Sequence, residues 1–165
     1  MERYCIKCGK ITTKKNDSLF ICEDGHENWV NPAVGAVVYV IDNDKVLYGV
    51  RSLEPNKGKL SLPGGFIEVG ETAEQAAIRE VKEELGLDVK LQDCLGTYAT
   101  TYGGRPILNI VFIARSQDQH VTPGDDMNGG EPVWSNIENL PAADELAWDW
   151  YQAAQKDLLV WWQQQ

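Results

Sequence analysis

Apolar residues are unevenly grouped along the chain, and the grouping predicts strands and helices in turn. AVGAVVYVI (33–41) is free of polar side chains apart from its tyrosine and predicts a buried strand. Asp42-Asn43-Asp44 reads as a turn, KVLYGVR (45–51) as a second strand and EPNKGK (54–59) as a loop. LSLPGG (60–65) is a short strand running into a glycine-rich turn. Over 72–85 the apolar period becomes helical. Thr72 and Gln75 fit a capping box there, and Gly86 stands where a C-terminal glycine belongs. DVKLQDCLGTYATTY (88–102) predicts one or two strands, PILNIVFIAR (106–115) another and VWSNI (133–137) a short one. HVTPGDDMNGGEP (120–132) reads as a flexible loop. From Pro141 the aromatic-rich AADELAWDWYQAAQKDLLVWW predicts a second helix. Strands, helix, strands and helix in that order predict a mixed α/β sandwich rather than a regular βαβ array. The first ~30 residues lack a long period, and Asn31-Pro32 punctuates their end. The expected division is therefore a small piece, 1–31, ahead of a domain, 32–165.

The first helix has an unusual polar face. At about 100° per residue, Ile78, Val81 and Leu85 gather in one core-facing stripe, while Gln75 and Lys82 point to solvent. Glu80 and Glu84 stack at i and i+4 beside that stripe, with Glu83 between them and Arg79. Ala73, Ala76 and Ala77 lie one turn earlier, and their small side chains leave room next to the carboxylates. One reading is a solvated acidic face held by pairs such as Arg79 with Glu83, worth ~0.3–0.5 kcal/mol each. The other is a cation site. Stacked Glu80 and Glu84 repel, and no Lys or Arg lies four positions from either. Hard oxygen ligands with room for water suit Mg²⁺ or Mn²⁺.

Composition narrows the choice. The 165 residues suit one domain of ordinary size, with or without a small appendage, and 43% apolar content supports a core. Acidic residues outnumber basic ones 25 to 15, giving a net charge of −10. That charge opposes broad nucleic-acid binding, and a phosphorylated ligand would need a cation or local Lys and Arg in between. No run reaches the ~18–20 apolar residues of a membrane span. The start, MERYCIKCGK, lacks an apolar signal core, so a cytoplasmic protein with no membrane partner is expected. Cys94, alone in an apolar stretch, reads as a small buried residue.

Gly65, five residues, Glu71, seven residues and then Arg79-Glu80-Val81-Lys82-Glu83-Glu84-Leu85-Gly86-Leu87 fill every fixed position of the Nudix box. The chain is thus similar to the Nudix hydrolases, with LPGGF before the box and NLP…DELAWDW near the end also fitting. The resemblance implies an α/β Nudix sandwich with a mixed sheet. It implies a Mg²⁺- or Mn²⁺-dependent pyrophosphohydrolase in which water attacks phosphorus of a nucleoside diphosphate derivative. By the same resemblance Glu80 and Glu84 are the main metal ligands, with Glu83 a further ligand or the base. A backbone carbonyl at Gly64 or Gly65 completes the site, and Glu71 with Arg79 braces loop against helix. Some members draw the base from a late loop, where Glu131, Asp125 and Asp126 are the candidates beside plain surface charge. Arg51, Lys57 and Arg105 could meet phosphate or serve solubility. Tyr98 and Tyr102 could stack on a base or pack in the sheet. ADP-ribose, NADH or FAD is the expected type of substrate. The alternatives are nucleoside triphosphates, dinucleoside polyphosphates or a nucleotide-sensing regulator without catalysis. Trp148, Trp150, Trp161 and Trp162 could pack internally or form the seam of a homodimer.

The leading piece carries Cys5-x2-Cys8, thirteen residues, then Cys22-x3-His26. Four such ligands suit a tetrahedral structural Zn²⁺ in a small zinc ribbon; the alternative is reduced thiols beside a surface histidine. A ribbon ahead of this domain resembles the NADH pyrophosphatase branch, although that branch's Ser-Gln-Pro-Trp-Trp motif is missing here. Pro106, 19 residues past the box, is similar to the proline of ADP-ribose pyrophosphatases.

Overall fold

The apolar run near residue 33 becomes the middle of a sheet with both faces covered. A computed structural model describes residues 2–116 and 120–165 and divides into two units, Met1–Ala33 and Val34–Gln165. The first unit contains β1 (Thr12–Lys14), β2 (Leu19–Cys22) and β3 (Glu27–Trp29), an antiparallel sheet in that order. No period at 1–30 predicts these strands, because each is only three or four residues long.

The second unit holds β4 (Ala33–Asp42), β5 (Lys45–Val50), β6 (Leu60–Ser61), β7 (Gly64–Phe66), α1 (Ala73–Leu85), β8 (Val89–Tyr102), β9 (Arg105–Ser116), β10 (Val133–Asn136) and α2 (Tyr151–Trp162). Its mixed sheet runs β10-β5-β4-β9-β8, with β6 on β5 and β7 on β4. Side chains of β4 alternate between the two faces. Ala36, Val38 and Val40 join Val81 and Leu85 of α1 in one core. Val37, Tyr39 and Ile41 join Tyr151, Ala154 and Leu158 of α2 in the other. The expected α/β sandwich is therefore the observed one. Among the described residues, no helix is long and apolar enough to cross a membrane.

Several local expectations need correction. Ile78 is 42% exposed, whereas Ala76, Ala77, Val81 and Leu85 are fully buried. The alanines thus leave no space beside the carboxylates. They are the close-packed face of α1, and their small size lets the helix sit tightly on the sheet. Cys94 is exposed, not buried. It lies on β8, the outermost strand, between register shifts at Leu91/Asp93 and Cys94/Gly96 that upset simple alternation. The expected one or two strands over 88–102 are one, Val89–Tyr102, joined to β9 by Gly103-Gly104. Both glycines have positive φ, 57° and 77°, as a two-residue hairpin turn of the primed kind requires. The second helix begins at Tyr151 rather than after Pro141. The residues before it bond to the β6 region instead. Leu60 N–H donates to Glu145 O at 2.9 Å, Ala147 N–H to Leu60 O at 2.8 Å and Asn56 Nδ2 to Ala147 O at 2.6 Å. Tertiary backbone partners override helical propensity here.

Candidate active site

Capping fixes the phase of α1. Thr72 Oγ1 accepts from Gln75 N–H at 3.2 Å while Gln75 Oε1 accepts from Thr72 N–H at 2.9 Å. Gly86 ends the helix in the left-handed conformation, φ 71°. With both ends set, Glu80 and Glu84 turn toward β7. Glu84 Oε2 accepts from Gly64 N–H at 2.7 Å. Gly65 lies against Glu80 so closely that an added Cβ would come within 2.6 Å of the carboxylate carbon. A larger residue there would displace the Glu80 carboxylate, so the box glycine is explained by contact with a box glutamate.

Arg79 ties the loop to the helix. Its Nε donates to Glu71 Oε1 at 2.7 Å and its Nη2 to Glu71 Oε2 at 3.0 Å and to Phe66 O at 3.2 Å. Its Nη1 reaches Glu80 Oε1 at 2.7 Å and Glu83 Oε2 at 3.0 Å. Helical spacing therefore missed the cation that relieves Glu80. A guanidinium with five donors can fold across its own neighbour, whereas the i,i+4 rule considers only the next turn. The Glu80 side chain is 12% exposed and that of Glu83 60% exposed.

Burial opposes the charge of both stacked carboxylates. Burial raises Glu84 from near 4.5 to about 8, and the neighbouring charges of Glu80 and Asp126 add to it. The Gly64 hydrogen bond and the Arg51 charge work in the opposite direction. Burial also raises Glu80, against the pull of Arg79. Glu71 is held low, chiefly by Arg79. Carboxylates pushed toward the neutral form while stacked side by side are stabilised as anions by a cation between them. The acid-oxygen donor set of Glu80 and Glu84 fits a hard divalent ion.

The 120–132 loop is tied down at its described ends. Thr122 N–H donates to Leu85 O and Gly124 N–H to Glu84 O, both at 2.8 Å. Ser52 N–H donates to Asp126 O at 3.0 Å and Gly129 N–H to Val50 O at 2.9 Å. The loop thus closes the C-terminal carbonyls of α1 and presents Asp126 to a cavity of about 310 Å³. Gly64, Gly65, Arg51, Tyr102, Trp148 and Trp150 also line that cavity.

Of the other residues singled out in the sequence, Glu131 and Asp125 are exposed and do not line the cavity. Neither do Arg105, which is exposed, or Lys57, which lines a separate surface hollow. Tyr98 stacks on Trp150 at 5.5 Å and its hydroxyl donates to Asp157 Oδ2 at 2.6 Å. Asn109, Trp148 and Trp150 are among the cavity residues that the sequence did not assign to a site. The two tryptophans were hidden by a helical reading of a segment that is not helical.

The first unit gathers Cys5, Cys8, Cys22 and His26, whose ligand atoms all lie within 4.8 Å of one another. Cys8 Sγ and Cys22 Sγ are 3.8 Å apart, and Cys5 Sγ is 3.7 Å from His26 Nδ1. Zn–S bonds of about 2.3 Å and Zn–N bonds of about 2.0 Å at tetrahedral angles require edges of roughly 3.8 and 3.6 Å. The donor set fits a tetrahedral Zn²⁺, with two of its edges near the required lengths, and 3.8 Å is too long for a disulfide.

Residues 31–156 match the profile of the NUDIX domain. The ADP-ribose pyrophosphatase of Methanocaldococcus jannaschii is 36% identical over 135 residues, 81% of this chain and 76% of that one. The oxidized purine nucleoside triphosphate hydrolase of Danio rerio is 33% identical over 118 residues, 68% of this chain and 74% of that one. The crystal structure of a NUDIX hydrolase from Nitrosomonas europaea superposes with a TM-score of 0.72 at 24% identity, covering 95% of this chain and 88% of that chain. The chain belongs to the NUDIX family and is a pyrophosphohydrolase, as the box implies.

Proposed function

We propose that this enzyme hydrolyses the diphosphate of a nucleoside diphosphate sugar or dinucleotide of the ADP-ribose type, with Mg²⁺ or Mn²⁺ held by Glu80 and Glu84. The observation that carries the reading is the convergence of these two carboxylates on Gly64-Gly65, at a cavity that also holds aromatic rings and Arg51. The identity with an ADP-ribose pyrophosphatase across most of both chains supports the substrate type. A bound divalent ion would neutralise the diphosphate and lower the pKa of the attacking water. Glu83, exposed and paired with Arg79, is a peripheral ligand. Asp126, facing the cavity, is positioned to take the water proton. The water oxygen bonds to phosphorus, the bridging P–O bond breaks, and two phosphate monoesters leave. Arg79 and Glu71 hold the β7 loop on the helix so that Gly64 N–H orients Glu84. Cys5, Cys8, Cys22 and His26 hold a structural Zn²⁺, without which so small and polar a unit has little reason to fold.

The test is product formation from ADP-ribose, NADH, FAD, a diadenosine polyphosphate and 8-oxo-dGTP, each with Mg²⁺, with Mn²⁺ and with neither. ADP-ribose or a dinucleotide should lead by at least an order of magnitude, and only with metal. A clear lead for 8-oxo-dGTP would favour the triphosphate reading, which the identity with the Danio rerio enzyme supports.

A further inference from the structure

Five aromatic residues line the cavity, Phe66, Tyr102, Trp148, Trp150 and Tyr151, and the surroundings of the two tryptophans differ. Trp150 is used in packing. It lies nearly parallel to Tyr98, at 5.5 Å and 26°, and edge-on to Tyr151 at 4.5 Å and 75°. Among the described residues no ring lies parallel to Trp148. The Arg51 guanidinium lies over its indole at 5.1 Å, and Tyr102 meets it at 87° with centroids 5.6 Å apart. Tyr102, at the end of β8, is 42% exposed. The backbone on either side of Trp148 is fixed, since Ala147 N–H donates to Leu60 O at 2.8 Å and Tyr151 N–H to Trp148 O at 3.1 Å. Trp148 is half-buried against the core on the α2 side, and the rest of its side chain lines the cavity with the Arg51 guanidinium over the indole. The same cavity reaches Gly64 and Gly65, where Glu84 and Glu80 close in. A nucleotide needs both features, a flat hydrophobic platform and a charged end, and Arg51 lines the cavity that holds both.

We propose that Trp148 determines specificity in this enzyme: the nucleobase of the substrate stacks on its indole, and Arg51 packs between that layer and the diphosphate. This rests on the nucleotide reading above. Any planar base has a π-face, so the platform selects for a base being present rather than for hydrogen bonds on its edge. Tyr102, at right angles, limits the ring's sideways travel.

Two measurements test it. The first compares kcat and KM of wild type, Trp148→Ala and Trp148→Phe on ADP-ribose and on its base-free analogue, in which hydrogen replaces adenine. Trp148→Ala should raise KM for ADP-ribose about 10- to 100-fold, with a much smaller effect on kcat. The preference for ADP-ribose over the base-free analogue should fall by the same factor, and Trp148→Phe should recover most of it. Equal losses on both compounds would mean a structural role and overturn the proposal, as would an unchanged preference. The second measurement is quenching of tryptophan fluorescence by AMP without added divalent cation. Wild type should show saturable quenching, and Trp148→Phe should lose most of its amplitude. No quenching in wild type, or equal quenching in the variant, would overturn the platform. Quenching that depends on Trp148, in an enzyme that cleaves neither compound, would sustain the platform and sink the ADP-ribose reading instead.

Discussion

At the scale of the residue, the site is a pair of carboxylates that the fold makes reluctant to ionise. Glu84 titrates near 8 against an ordinary value near 4.5, first because it is buried. Between about pH 4.5 and 8 the folded protein therefore binds more protons than the unfolded chain, so stability falls as pH rises through that window. Without added divalent cation, thermal melts from pH 5 to pH 8 should show a falling Tm, as the unfolding free energy drops by a few kcal/mol at most, on the order of the linkage term. Added Mg²⁺ should restore stability most at the alkaline end, where the site is charged and otherwise unpaired. A Tm that is flat with pH and indifferent to Mg²⁺ would remove Glu84 from the metal site. Glu84→Gln keeps the shape and accepts the Gly64 hydrogen bond but cannot carry the charge. Its kcat should fall by about 10²-fold or more while the fold survives, checked by steady-state assay beside circular dichroism.

At the scale of the element, α1 and its flanking loops act as one device. The cap residues fix the helix ends, Arg79 fixes the loop before it and the Asp126 loop closes its last carbonyls. Arg79→Ala would leave Glu71 and Glu80 without their shared partner in a half-buried place. It should cost about 1–3 kcal/mol in denaturant unfolding and lower activity further than stability alone explains. Gly65→Ala places a methyl group against Glu80 and should reduce activity at least tenfold, read by the same assay, with little change in helix content. Much of this device was legible beforehand. Thr72, Gln75 and Gly86 are local signals, and a cap depends only on residues a few positions apart. The misreadings share a cause. Ile78, Cys94 and the segment before Tyr151 each follow a local pattern that distant partners overrule. The sheet takes Ala76 and Ala77 in preference to Ile78. An edge position with shifted register exposes Cys94, and Leu60 claims the backbone of 145–147.

At the scale of the whole molecule, two units depend on different forces. The larger has a core on each face of its sheet, whereas the smaller has little apolar interior beyond its cysteines. Mass spectrometry of the native protein should find one zinc per chain. Removing it with a strong chelator should abolish hydrogen-exchange protection across β1–β3 while β4, β5 and α1 keep theirs. Retained protection in the zinc-free first unit would show that the cluster is not structural.

The sequence alone determined the helix, the strands around it, the Nudix box and the spacing of the four zinc-type ligands. Each of these rests on periods, caps or spacings within a short stretch of chain. Only the tertiary structure decided which carboxylate is buried, that Arg79 serves Glu80, and that Asp126 rather than Glu131 faces the cavity. It also decided that Trp148 stands in the wall with Arg51 over its indole and Tyr102 edge-on. Those outcomes depend on which distant backbone claims which hydrogen bond and on how far each side chain is removed from water. Neither quantity is a property of any single stretch of sequence.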